Sequence, residues 1–407
     1  VRGRVVPRIW TPPLRDLDDP ASSYGYELAE FADRIDWPLD PWQRWLAIHM
    51  GELLPDGRPR FRMVLVLVAR QNGKTLLTRL LTLYWLFVEI PHLYDGLDKP
   101  VVLGTHTSRD YAKKSWKAVI DMAKNTPMLE RHIGRKAVTL QVGEEEFRTL
   151  RGAAYMFSAT NRRAGRGLTV GRNVLDELRE HRDWEAYRAS INAMNAVDDA
   201  QAVAITNQGD DRGVVLDSLR GSALDFIETG QGDHRLGLFE WSAPAGADPT
   251  DPEALAMANP DLGNRIQLDA LMGDAIRAKA EGGAVLAGFR TEVLCQRVDL
   301  LDPAIDPEKW TACQAVEPVD LAAHRRRVAV CLDVSLDGSH ATLVAAATIG
   351  GVTHIEALQT WHGYGCTAAV RRDMPVILAK VRPRVVGWFP GGPAAAIAAA
   401  LGGRDRS

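Results

Sequence analysis

The segment MVLVLVARQNGKTLLTRLLTLYW, residues 63–85, decides the fold. A run of β-branched residues and leucine stops at ARQNGKT, and a longer apolar-rich segment follows. The first part reads as a buried strand and the last, from about 74 to 90, as a helix. A strand, a tight turn and a helix with Gly73-Lys74-Thr75 at the turn is the layout of a phosphate-binding loop. Such a loop needs small residues so that backbone N–H groups converge on a phosphate. It also needs a lysine that reaches the β- and γ-phosphates, and a hydroxyl for Mg²⁺ at the helix N-terminus. Gly73, Lys74 and Thr75 supply these in order, with Gln71 and Asn72 beside them as further nucleotide-binding positions. The usual G-x-x-x-x-G-K-[ST] pattern would put its first glycine where Val68 stands, so the loop is a variant, and a fortuitous turn is the competing reading.

A second signal decides between them. NVLDELREH, 173–181, reads as an apolar strand delivering Asp176 and Glu177 at its C-terminal end. Asp176 suits a metal-holding carboxylate, and Glu177 one that orients and polarises the attacking water. Alone, the pair would read as helix-start carboxylates favoured by the dipole. Downstream of a strand–GKT–helix unit it points to ATP hydrolysis with Mg²⁺.

Three further stretches fit such a site, each with a bland alternative. QAVAIT, 201–206, leads into Asn207 and Gln208, which sense a γ-phosphate or simply end a strand. Gln43 in PWQ, 41–43, pairs with an adenine edge or sits at a helix N-terminus beside a core tryptophan. TNRRAGRGL, 160–168, sets Arg162, Arg163 and Arg166 among glycines. Arg163 and Arg166 are arginine-finger candidates in cis or across a subunit boundary; contacts to DNA phosphates and a solvated loop are the alternatives. Arg70, inside the loop, competes as the finger.

The 407 residues allow two or three domains. The 46% hydrophobic and 25% charged content is ordinary for a globular protein. A net charge of −3 does not itself point to nucleic acid, although a motor confines basic charge to a channel. Four cysteines, Cys295, Cys313, Cys331 and Cys366, form no C-x-x-C and read as buried thiols in a reducing compartment. Residues 1–20 lack the apolar region of a signal peptide. The apolar stretch 76–90 contains Arg79 and Glu89 and is not expected to cross a bilayer. The ends, Val1 and RDRS, read as those of a fragment.

Strands alternating with helices predict an α/β fold with a mostly parallel sheet. Residues 1–35 read as an irregular arm and 36–240 as the P-loop domain. Residues 241–325 read as a Pro-, Ala- and Gly-rich connection with a helical stretch at about 268–297, and 326–407 as a second domain. In that domain VAVCLDVSLDGSHATLVAAATIGGVTHIEALQTW, 328–361, predicts three strands joined by tight turns at Asp337-Gly338 and Gly350-Gly351. A helix over 366–380, a fourth strand at 383–389 and an Ala-rich helix follow.

PWQ, VLVARQNGKT, NVLDELREH and AITNQG together resemble the large terminase subunit of tailed bacteriophages. MANPDLG, 257–263, and FRTEVLCQR, 289–297, resemble segments found between its two domains, and the resemblance covers about 36–400. It implies an ASCE-type P-loop ATPase followed by an RNase H-like nuclease. The implied work is ATP-driven packaging of double-stranded DNA into a procapsid. The implied partners are a portal protein, a small terminase subunit and further copies in a homo-oligomeric ring. The implied place is the host bacterial cytoplasm, transiently on the procapsid. A variant loop lacking the first glycine is typical of the family. Lys74 and Thr75 would hold phosphate and Mg²⁺, Asp176 the metal, Glu177 the water, and Thr206 and Asn207 would lie in the coupling motif.

An RNase H-like nuclease gathers acids around two divalent metals, Mg²⁺ or Mn²⁺, and Asp333 fits the first-strand anchor. The fourth strand should end in a second acid, yet VVGWFPGGPAA has none. Glu356 is a weak substitute. The expectation is an incomplete nuclease with little or no cleavage. A helicase-type DNA-dependent ATPase and a non-catalytic nucleotide-binding prophage remnant are the rival readings.

Overall fold

The computed structural model describes residues 1–141, 145–159, 167–210, 212–298, 307–315, 319–335, 338, 340–363, 365–389 and 392–402. In chain order the strands are β1 (Ile9–Trp10), β2 (Met63–Leu67), β3 (Val101–His106), β4 (Val138–Thr139), β5 (Glu146–Arg148), β6 (Ala154–Ala159) and β7 (Val170–Asp176). They continue with β8 (Gln201–Thr206), β9 (Leu236–Glu240), β10 (Ala329–Val334), β11 (His340–Ile349), β12 (Val352–His362) and β13 (Val385–Trp388). The chain divides into two units, Val1–Pro307 and Glu308–Ser407.

The first unit is built on one sheet in the order β1-β9-β2-β8-β7-β3-β6-β5-β4. From β9 through β6 every neighbouring pair is parallel. β1 and the pairs β6-β5 and β5-β4 add antiparallel edges. β2 explains why the sequence folds this way. Val64 and Val66 enter one apolar core with Leu46, Leu77 and Trp116, while Met63, Leu65 and Leu67 enter another with Met194, Leu216 and Ala223. A strand buried on both faces reads as a continuous apolar run because neither face meets water. Parallel β2, β8 and β7 end on the same sheet edge, so the loops after Leu67, Thr206 and Asp176 converge there.

The helix after the loop runs from Lys74 to Tyr84 and continues through a wider turn at Trp85–Glu89 into Ile90–Leu93. Lys74–Leu93 is long and apolar enough by composition alone to cross a membrane, but 61% of that window is buried inside the protein. Leu80, Trp85 and Ile90 pack there in the core, and buried Glu89 pairs with Arg172 at 2.7 Å.

Several boundaries differ from the sequence reading. Residues 1–35 are not an irregular arm: β1 closes the sheet against β9, and the helix Gly25–Arg34 buries Leu28, Phe31 and Ala32. The two-residue strand is too short to show a period, but Leu28, Phe31, Ala32 and Ile35 do fall at helical spacing and mark the helix. The stretch from 241 to Pro307 groups with the first unit. Trp241 and Cys295 belong to its cores, and a helix at Pro252–Ala258 interrupts the presumed loop. The helical stretch after 268 is two helices, Leu268–Glu281 and Gly283–Glu292. They part where Gly282 and Gly283 take φ of 66° and 50°, a left-handed backbone that glycine adopts without strain. Cys295 and Cys366 are buried as expected, but Cys313 and Cys331 are exposed.

The second unit carries a sheet in the order β12-β11-β10-β13. The first three strands form an antiparallel meander, and β13 joins β10 in parallel after the helix Cys366–Val381. The helix Pro393–Gly402 follows. Strand, strand, strand, helix, strand, helix is the order read from the sequence.

Candidate functional site

The loop between β2 and the helix Lys74–Tyr84 turns on two left-handed residues, Gln71 at φ 63° and Gly73 at φ 86°. A Cβ on Gly73 would lie 2.9 Å from Gln43 Nε2 and displace that side chain, and the positive φ favours glycine. Val68 needs no such freedom. It is fully buried, and its N–H donates to Thr206 O at 3.0 Å, extending the pairing of β2 with β8. The chain leaves the sheet one residue later than the usual pattern implies.

Asn72 holds the turn from within. Its Nδ2 donates to Ala69 O at 3.2 Å, to Arg70 O at 3.0 Å and to Asn259 Oδ1 at 3.0 Å. Its Oδ1 accepts from Asp261 N at 3.0 Å. Lys74 Nζ donates back to Val68 O at 2.9 Å, spanning the loop. Burial lowers the Lys74 pKa, and the carboxylates of Glu177 and Asp176 partly oppose that shift. Gln43 is buried and spent on the scaffold: its oxygen accepts from Asp40 N at 3.0 Å and its Nε2 donates to Gly73 O at 3.1 Å. Trp42 packs edge-on against Trp241.

Asp176 ends β7, and Glu177 follows in a left-handed conformation, φ 56°. For a non-glycine residue this conformation costs energy, and such residues cluster at functional sites. Thr75 and Asp176 line one cavity with Thr78, Arg79, His106 and Tyr155. Burial raises the Asp176 pKa, and the neighbouring Glu177 charge adds to the rise. No protein cation pairs with the Asp176 carboxylate among the described residues. A half-buried carboxylate beside a second one, facing a threonine hydroxyl across a cavity, fits a divalent cation. Thr75 and Asp176 are the residues that would hold Mg²⁺.

The strand end at Thr206 lies beside that of Asp176, since β8 pairs with β7. Thr206, Asn207 and Gln208 are all buried, and Asn207 Nδ2 donates to Thr291 O at 3.2 Å. Arg70 is solvent-facing and pairs with Glu292 at 3.1 Å. Arg163 and Arg166 lie outside the described residues, as do Arg162 and Asp337.

The sequence reading missed four contributors: Asn259, Asp261, Arg179 and Glu292. Asn259 and Asp261 brace the loop through Asn72, and Glu292 O accepts from Arg70 N at 2.9 Å. Arg179 is largely buried and pairs with Glu177 at 3.0 Å. The first, second and fourth belong to MANPDLG and FRTEVLCQR, the segments whose resemblance had placed them between domains. No local pattern marks these three, because their partners lie far away in sequence, whereas Arg179 stands two residues from its partner Glu177 within NVLDELREH.

Residues 46–225 match the family model of the terminase large subunit ATPase domain. This region is a large-terminase ATPase domain. The structure is also similar to the large terminase of bacteriophage HK97, with a TM-score of 0.57, 20% identity, and coverage of 94% of this chain and 77% of that one. At this identity the likeness shows a shared fold. A Thermus phage P74-26 large terminase ATPase domain gives 0.38 at 16% identity, covering 52% of this chain and 84% of that one. The large terminase of a further thermophilic bacteriophage gives 0.36 at 14% identity, covering 85% and 76%. Comparison with curated protein sequences gave no match. The α/β fold of this chain is the one its sequence predicted, a mostly parallel sheet followed by a second, smaller one.

Asp333 presents a different setting. It is exposed on β10, opposite Thr342, and β13 beside it carries Val385, Val386, Gly387 and Trp388. Glu356 pairs with Ala345, which pairs with buried Val330. Alternation along β10 puts Val330 and Asp333 on opposite faces, so Glu356 cannot join Asp333. A bulge between Leu343 and Val344 sets this parity, and the sequence gives no sign of it. Among the described residues no group of three His, Cys, Asp or Glu side chains is placed to hold a metal.

Proposed function

We propose that this chain hydrolyses ATP to drive double-stranded viral DNA into a procapsid. The observation that carries the reading is the convergence of Lys74, Thr75, Asp176 and Glu177 at the carboxyl edge of β2 and β7, within a region that matches the terminase ATPase family. The amides of Gln71, Asn72 and Gly73 would cradle the phosphates. Lys74 would leave Val68 O and take a β- or γ-phosphate oxygen, for which a partly desolvated ammonium is well suited. Mg²⁺, when bound, would neutralise charge on the β- and γ-oxygens. Glu177 would accept a hydrogen bond from the attacking water and align it with the γ-phosphorus. Asn207, joined to Thr291, would pass the state of the site along the chain. Arg70, Arg163 and Arg166 remain the finger candidates, and Gln43 reaches adenine only by giving up Gly73 O.

The packaging partners in this reading are double-stranded DNA, a portal protein, a small terminase subunit and a ring of identical chains. It would take place in the host bacterial cytoplasm, on the procapsid. The second unit is read as RNase H-like from its meander-plus-parallel strand order, with Asp333 as a metal ligand. Its exposed setting, without companion acids among the described residues, supports weak or absent cleavage with Mg²⁺ or Mn²⁺. The test is ATP turnover with and without linear double-stranded DNA, Lys74→Ala serving as the blank. DNA-stimulated turnover above the blank is expected. Turnover indifferent to DNA would remove the motor reading.

A further inference from the structure

A cluster of polar side chains borders Gly73. A Cβ on that glycine would meet Gln43 Nε2 at 2.9 Å, and Arg265 Nε and Asp40 Oδ2 at 3.7 Å each. Arg265 is held along one edge of its guanidinium. Its Nη2 donates to Asp40 Oδ2 at 2.6 Å, and its Nε lies 3.2 Å from the same oxygen and 2.8 Å from Asp261 Oδ2. Asn264 Nδ2 donates to Asp261 Oδ1 at 2.8 Å and to Asp40 Oδ1 at 3.3 Å. Gln43 accepts from Asp40 N and donates to Gly73 O. The groups whose chemistry suits reading the edge of a nucleobase are thus committed to one another. Arg265 is 42% exposed at its side chain, while Asp261 beside it is 2% exposed. With Nε and Nη2 engaged by carboxylates, the guanidinium has its flat face left to offer a ligand.

We propose that Arg265 is the platform on which the nucleobase stacks, and that the site therefore takes purine nucleoside triphosphates as a class, GTP as well as ATP. This rests on the ATPase reading above and names its substrate class. The sheet order supports the placement. β7, which leads to Glu177, lies on one side of β2, and β9 on the other. Trp42, next to Gln43, packs on Trp241, just after β9. A nucleotide with its γ-phosphate toward Glu177 carries its base toward Asp40, Gln43 and Arg265. A guanidinium is planar and stacks on aromatic faces. Two carboxylates already fix its edge, so little side-chain freedom is lost when a base arrives. Every base has a π-face, so stacking does not separate adenine from guanine. Selecting adenine by its edge would require Gln43 to leave Gly73 O and give up its brace on the loop.

A purely structural role, in which Arg265 ties its segment to Asp40, is the competing account. The test measures binding to the whole chain with Mg²⁺ by calorimetry. The ligands are the β,γ-imido analogues of ATP and GTP, which resist hydrolysis, and inorganic tripolyphosphate, which has no base. The wild type should bind the two nucleotides within about threefold of each other, and both about tenfold more tightly than tripolyphosphate, the order of one stacked base. Arg265→Ala should bring both nucleotides down to the affinity of tripolyphosphate, which itself stays within about twofold of its wild-type value. Arg265→Lys keeps the charge without the plane and should behave like the alanine variant. A preference for the ATP analogue of more than about 30-fold would show reading of the base edge and overturn the proposal. So would a lysine variant with wild-type nucleotide affinity, or an alanine variant that loses tripolyphosphate as severely as nucleotide. Each of these leaves the ATPase reading intact, whereas a folded wild type that binds none of the three ligands would overturn both. The comparison of the two nucleotides uses the wild type alone, so a variant that fails to fold does not shield the proposal.

Discussion

Asp176 and Asp333 both stand on interior strands of their sheets, one at a strand end and one within a strand, and their surroundings could hardly differ more. Asp176 is half-buried, lies next to Glu177, faces a cavity shared with Thr75, and sits near a lysine held in a closed loop. Asp333 is exposed, is paired with Thr342, and has Glu356 on the far face of its sheet. A functional carboxylate is made by its neighbours. Around Asp176 three loops from parallel strands converge, and two distant segments tie them together. Around Asp333 the strand order is right but the side chains that would complete a metal site are not there among the described residues.

The largest expected effect breaks this comparison directly. Lys74→Ala should reduce ATP turnover at least about 100-fold, because removing a charge at a desolvated phosphate site costs several kcal/mol of transition-state stabilisation. Asp333→Asn should leave ATP turnover unchanged, and on the proposed reading of the second unit it should remove little nuclease activity. A large loss of turnover in Asp333→Asn, or strong metal-dependent cleavage by the wild type, would show that the contrast has been misread.

Asn72→Ala comes next. It strips a buried side chain that makes four hydrogen bonds and leaves Asp261 N and Asn259 Oδ1 without that partner. A loss of roughly 2–3 kcal/mol of stability is expected in denaturant unfolding, with a raised KM for ATP. Wild-type stability would mean that MANPDLG does not clamp the loop.

A smaller, pH-dependent effect is expected at His181, which is buried, with no protein partner for either ring nitrogen among the described residues. Burial lowers its pKa from 6.5 to about 4. Between those values the unfolded chain binds the proton and the folded one does not, so stability falls as pH drops. The group contributes fully above pH 6.5, and about 2 kcal/mol should be lost by about pH 5. His181→Asn should show a correspondingly shallower fall over that window in thermal or denaturant melts. Parallel pH profiles would place the imidazole in solvent.

What the sequence made legible follows from what is local. The buried strand, the turn and the helix at 63–85 carry their own signals, and so does the acidic end of β7. Gly73 was recognisable because lysine and threonine follow it. The clamp was not, because Asn72 meets Asn259, and Arg70 meets Glu292, across a long stretch of chain with no repeating pattern. Gln43 read either as an adenine contact or as a helix N-terminus residue, and its bracing of Gly73 was not legible because it depends on a hydrogen bond to a backbone carbonyl. The β1 edge strand escaped notice because two residues cannot show a period. The parity of Glu356 depended on one bulge.

The measurement that bears most directly on the account compares ATP binding with ATP turnover in the wild type and in Glu177→Gln. If Glu177 orients the water, the variant binds ATP with Mg²⁺ as tightly as the wild type and turns it over about 1,000-fold more slowly. A variant that binds and hydrolyses like the wild type would contradict the assignment. So would a folded wild type that binds ATP and does not turn it over.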